Sequence, residues 1–180
     1  DQTYLETTHP LQRGITQGMS TLIAHDVVHV GVDGCGAPTH VLTLMDLARA
    51  FRALVTGPGG ADGQRIHRAM TSFPAMVGGP GHTTTQIMEG IGGLMMKDGA
   101  EGVLAGVLAD GRALALKVAD GGNRVRPVIA RAALMALGVD VSGVPQHVFE
   151  PEILGHGRRV GGIRCVGELA EVMARQTPSH

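Results

Sequence analysis

"GLMMKDGAEGVLAGVLADGRALALKV", residues 93–118, decides the fold. It reads as strand, turn, strand, turn, strand. Asp110-Gly111 is a two-residue hairpin signal between two apolar runs. In the last run Leu114, Leu116 and Val118 alternate with Ala113, Ala115 and Lys117, so one face is the more buried. Consecutive strands joined by short turns pair antiparallel.

Upstream of this sheet the spacing is helical. Pro10 suits a first helical turn, and Leu11, Ile15, Met19, Leu22 and Ile23 follow it at helical period. "DVVHVGV" is extended and leads into a glycine-rich turn. Leu44, Leu47, Ala48, Phe51 and Leu54 mark an amphipathic helix after Pro38. "TGPGGADG" reads as a loop, and Ile66, Ala69, Met70 and Phe73 as another helical face ending before Pro74. "GGPGHTTT" is a second glycine-rich loop, with Thr83 or Thr84 capping a short helix.

Downstream, Asn123 caps a helix carrying Val125, Val128, Ile129, Ala132 and Ala136, closed by Gly138. "GRRVGGIRCV" supplies one more strand before a final helix near Glu168 to Arg175. The class is α+β, an antiparallel sheet packed with helices. About 1–92 is mostly helical with glycine-rich loops, and about 93–165 is sheet hairpin and helix.

The bulk numbers restrict function. With 180 residues, 43% hydrophobic and 17% charged, the chain can bury one core. A net charge of −1 and the lack of Trp give no footprint for nucleic acid or an anionic membrane. No apolar run is long enough for a transmembrane helix. Two cysteines, Cys35 and Cys165, make no disulfide framework and suit a reducing cytoplasm.

Candidate chemistry gathers at few places. In "GVDGCGAPTH", residues 31–40, glycines bring Asp33 and Cys35 toward one small space. Cys35 suits a nucleophile, a metal ligand or a small core residue. Only two lysines occur, Lys97 and Lys117. Lys117 fits a solvated strand position. Lys97 ends an apolar strand and opens "KDGAEG", which places an ammonium beside glycine with little bulk around it, as in the K-T-G element of penicillin-recognising enzymes. "HDVVH", His25 to His29, imitates a zinc-protease motif, but its valines favour a strand that would part the histidines.

Five segments occur in a familiar order: "TYLETTHPLQ", "GVDGCGAPTHVLTLMDLARAF", "FPAMVGGPGHTTTQIM", "KDGAEGV" and "ALALKVADGGNRVRPV". Together they resemble the bacterial type II, thermolabile, rhizobial-type L-asparaginases, from Thr3 to about Arg164. The resemblance implies a fold like serine β-lactamases and glutaminases, and hydrolysis of L-asparagine to aspartate and ammonia. It implies that Asp33 holds the substrate's α-amino group, with Gly99 and Glu101 in the substrate-binding set. It implies that Lys97 is a catalytic lysine assisting a serine, and that Cys35 is a ligand able to share a zinc ion.

The chain also departs from that family. No Ser, Thr or Cys stands three residues before either lysine, and no C-S-G-K-H is present. "GHTTT" stands where many members carry an arginine and an aspartate. The expectation is therefore a C-terminal half, residues 1–180, of a longer homodimeric cytoplasmic enzyme. The serine lies in a missing N-terminal half, in the same chain or a nicked partner, and the 180-residue piece alone is inactive. The alternatives are a non-catalytic binding module derived from the enzyme, or a metal-dependent hydrolase built on Cys35.

Overall fold

A computed structural model describes residues 3–176. The first helix, α1 (Pro10–Ile23), starts with His9 as its cap: Nδ1 accepts from the Leu11 N–H at 3.1 Å. Strands β1 (Val30–Val32) and β2 (Pro38–His40) then form a small antiparallel hairpin. Helices α2 (Leu44–Thr56), α3 (Gly60–Ser72), α4 (Ala75–Gly78) and α5 (Thr83–Gly90) follow.

The expected three-stranded meander comes next, with β3 (Met95–Asp98), β4 (Val103–Val107) and β5 (Ala113–Lys117) in that spatial order. All neighbours pair antiparallel, Lys97 opposite Ala105 and Leu104 opposite Leu116. Helices α6 (Arg126–Ala136) and α7 (Gln146–Phe149) lead to a second hairpin, β6 (Glu152–Gly155) and β7 (Arg158–Gly162), and then α8 (Glu168–Gln176). The protein is thus α+β, with small antiparallel sheets among helices.

Central strand β4 is buried on both faces, because Leu104, Ala105 and Val107 alternate sides and all are shielded. Helix α2 packs on β4 and β5, and α6 contacts the same two strands. The core joins Ile87 and Met88 of α5, Met96 of β3, Leu114 and Leu116 of β5, and Leu134 of α6. Each fully buried side chain of this size contributes about 1.5–3 kcal/mol.

Several expectations need correction. The Asp110-Gly111 signal does make a hairpin, but with a three-residue loop. Leu108 N donates to Arg112 O (2.8 Å), Gly111 N donates to Leu108 O (2.9 Å), and Gly111 takes φ 89. A type I turn closed by a left-handed glycine matches the sheet's twist where a bare type I turn would not. His82, rather than Thr83 or Thr84, caps α5, its Nδ1 accepting from Thr84 N at 3.3 Å. Asn123 uses only its carbonyl, accepting from Arg126 N, and α6 has no side-chain cap. Gly138 does close α6: Val139 N donates to Leu134 O and Gly138 N to Met135 O, a Schellman pair at φ 71.

Half of the expected "TGPGGADG" loop is helix α3. An added Cβ on Gly63 would lie 2.6 Å from Leu54 O, so the glycines serve close approach of α3 to α2. The expected apolar face of α3 points outward: Ile66 and Phe73 are 45% and 64% exposed, while Gly63 and His67 are buried. His67 is satisfied there by Gly93 O at 3.0 Å. Strand β6, unforeseen, pairs with β7 through a two-residue His156-Gly157 turn, both at positive φ.

Candidate active site

Strand β3 puts Met95 and Met96 in the core and turns Lys97 outward, with Asp98 half-buried at its end. Lys97 Nζ donates to Asp98 O at 2.5 Å and to Asp98 Oδ1 at 3.4 Å. The carboxylate faces three further groups. Arg126 Nη2 donates to Oδ2 at 3.3 Å, Thr84 Oγ1 donates to Oδ1 at 3.3 Å, and His82 Nε2 lies 3.9 Å from Oδ2. Burial pushes the Asp98 carboxyl up, but Lys97, its own backbone, Arg126 and His82 outweigh that and hold it below the usual carboxylate range. Asp98 is therefore an anion at neutral pH, clamped among cations.

Arg126 also fixes the turn that follows. Its Nη1 donates to Gly99 O at 3.0 Å and to Val103 O at 3.2 Å. Within this turn Glu101 takes φ 57 and Gly102 φ 71. A Cβ on Gly102 would sit 2.7 Å from Val118 Cβ, so only glycine fits. Glu101 holds a left-handed backbone that side chains rarely adopt, and Lys117 Nζ donates to its carbonyl. Gly99 and Glu101 thus lie on a loop pinned from both ends, next to Lys97.

Asp33 and Cys35 occupy the tip of the β1–β2 hairpin, and both are exposed. Asp33 N donates to Ala37 O and Gly36 N to Asp33 O, both at 2.8 Å, with Gly36 at φ 83. This is the turn geometry of the 108–112 loop. Asp33 Oδ1 accepts from Gly34 N at 2.7 Å, and Cys35 Sγ lies 4.0 Å from Oδ2. The turn brings acid and thiol together, as their spacing suggests. Zinc takes four donors, and here two are present. Among the described residues no group of three or more His, Cys, Asp or Glu gathers to hold a metal ion. These residues alone do not fit a zinc site.

No ion pair joins Asp33 to Lys97 among the described residues; the carboxylate beside Lys97 is Asp98. "HDVVH" is not helical. His25 instead hydrogen-bonds through Nε2 to Asp46 Oδ1 at 2.9 Å. Cys165 is half-buried against Val128 O at 3.7 Å, and burial pushes its thiol up, as a packing residue. The sequence does not mark Asp98, Thr84 or Arg126 as site residues, and His82 stands out only as a departure from the family. The available signal was Asp98 itself, adjacent to Lys97 in "KDG".

Fold and site define an α+β protein with a lysine-aspartate pair at a strand end and a glycine-bounded loop beside it. The L-asparaginase II family model matches residues 1–165, and the chain belongs to that family. Its activity class is that of an asparagine amidohydrolase, with a small-molecule substrate. No curated protein matches the chain at a significant level. No helix among the described residues is long and apolar enough to cross a membrane.

Proposed function

We propose that this chain is the substrate-facing C-terminal half of a thermolabile, rhizobial-type L-asparaginase with a serine β-lactamase-like fold. A preceding segment, in the same chain or nicked from it, supplies the serine. The serine oxygen attacks the side-chain amide carbon, and a neutral lysine neighbouring it takes the proton. Ammonia leaves, and water releases aspartate from the acyl-enzyme. Lys97 is the second cation, stabilising the charge that builds at the reacting end. Asp33 takes the substrate's α-ammonium, and Gly99 and Glu101 border the amino acid. Cys35 joins a zinc site only with donors from the preceding segment. The enzyme works as a cytoplasmic homodimer.

The observation that carries this reading is Lys97, exposed at the end of β3 with its ammonium held by Asp98. Asp98 is itself fixed by Arg126 and Thr84, so the cation is pre-positioned. Leu11, Ile15, Ile66, Phe73 and Met76 are exposed, and a covering segment would bury apolar side chains of this kind. Steady-state kinetics on the full-length protein test the assignment. Lys97→Ala lowers kcat about 10²-fold, and Asp33→Ala raises KM and lowers kcat/KM more than kcat. Near-normal kinetics in both variants would overturn it.

A further inference from the structure

A crevice of about 370 Å³ opens behind Asp98, bordered by the starts of α5 and α6 and by α7. His82, Arg124, Arg126 and His147 line it, with the amide side chains of Gln86 and Asn123. No Asp or Glu belongs to its wall. Asp98 already balances Arg126 from outside the wall, so Arg124 is the cation left uncompensated at the crevice, with the two imidazoles as further N–H donors. The volume is that of a small-molecule pocket.

The four groups differ in how free they are. Arg126 is largely buried and already committed to Asp98, Gly99 O and Val103 O, so it forms a fixed floor. His82 is held through Nδ1 by the Thr84 N–H. Arg124 and His147 are exposed, and neither side chain has a hydrogen bond or ion pair among the described residues. Folding leaves their donors unspent at the mouth of the crevice. Lys97, Asp33, Gly99, Glu101 and Cys35 do not line it, so the crevice adjoins the proposed substrate residues through Arg126 without sharing them.

We propose that this crevice binds a small oxyanion through a carboxylate or phosphate group. Arg124 closes on the oxyanion with its planar pair of N–H groups, and His147 and His82 donate from the sides. Two sources share that chemistry: phosphate, and the aspartate that the family reaction releases. The second source rests on the proposed amidohydrolase reading, and the first does not.

Isothermal titration of the full-length protein, at low ionic strength, uses inorganic phosphate and L-aspartate separately. One or both bind wild type, and Arg124→Ala with His147→Ala weakens that binding about tenfold or more while circular dichroism stays unchanged. Raising salt to ~0.5 M weakens it as well. Aspartate that still binds in Asp33→Ala occupies the crevice rather than the substrate site. Phosphate binding alone supports the crevice whatever the fate of the amidohydrolase reading. The proposal is overturned if neither probe binds at millimolar concentration, or if the double variant binds as wild type does. It is overturned too if the one response is to aspartate and vanishes in Asp33→Ala.

Discussion

Arg126 Nη2 donates to Asp98 Oδ2 across 3.3 Å, with side-chain exposures of 10% and 18%. The pair spans the junction of α6 with the end of β3. The same guanidinium serves Gly99 O and Val103 O, so one side chain satisfies three acceptors. Removing it takes a charged donor from a half-buried carboxylate and leaves Gly99 O without its side-chain partner, while Val103 O keeps the Gly99 N–H. Arg126→Ala is expected to cost about 2–4 kcal/mol. Arg126→Lys recovers only part of this, since an ammonium cannot reach all three acceptors. Urea denaturation of both variants checks the order, and equal stability of Ala and Lys forms would contradict it.

The His25–Asp46 pair makes stability depend on pH at both flanks. The hydrogen bond that His25 Nε2–H donates to Asp46 raises the His25 pKa above ~6.5, helped by the Asp26 carbonyl. The same bond, with that from Thr43, lowers Asp46 to about 2. His25 therefore contributes fully below ~6.5, and its contribution is lost as pH rises through its raised folded value. Asp46 contributes above ~3.9, and its share is lost as pH falls toward about 2. One interaction underlies both shifts, so it counts once. His25→Gln is expected to flatten the alkaline decline in melting temperature. Parallel curves for wild type and variant from pH 5 to 9 would refute the coupling.

How much of this was legible in the sequence depended on range. The meander 93–118 was readable because its pattern is local: alternation in β5 and Asp110-Gly111 at the bend. Helix α1 was readable as a helix, and Ile23 is buried as its spacing predicts, but the inner face of its first turns was not. Leu11 is 51% exposed while Gln12 is buried, because Gln12 Nε2 donates to Tyr4 O at 2.8 Å. Helix α3 inverted for a similar reason: approach to Leu54 selects glycines, not the apolar stripe. Lys97 could be placed at a strand end. Its Asp98 network could not, because Arg126 and Thr84 come from other helices, and no local period encodes that meeting.

Two glycine substitutions separate packing from propensity. In Gly63→Ala the new methyl meets Leu54 O at 2.6 Å and Leu54 Cα at 3.0 Å, both backbone atoms that cannot rotate away. A loss of about 1–3 kcal/mol is expected. At Gly18, inside α1, nothing lies within 4 Å of an added Cβ. Gly18→Ala is expected to gain about 0.5–1 kcal/mol from helix propensity. Chemical denaturation of the two variants should move in opposite directions. A gain at Gly63 would mean that α2 and α3 sit farther apart than here.

Glu101 offers a way to part strain from function. It holds φ 57, where a side chain costs free energy that glycine does not pay in the same turn. Gly102 beside it has φ 71, and Arg126 and Lys117 hold the surrounding carbonyls, so the loop keeps its shape without the Glu101 side chain. Glu101→Gly is therefore expected to leave stability unchanged or raise it by up to about 1 kcal/mol, the relief of strain being partly offset by a freer unfolded chain. If the carboxylate borders the substrate, the same variant raises KM for asparagine. Glu101→Ala keeps the strain and loses the same carboxylate, so it should match the glycine variant in kinetics but not in melting temperature. Kinetics and thermal melts on the full-length protein read both effects. A glycine variant less stable than wild type would show that the Glu101 side chain, not the turn, holds this loop. Unchanged KM in both variants would remove Glu101 from the substrate site.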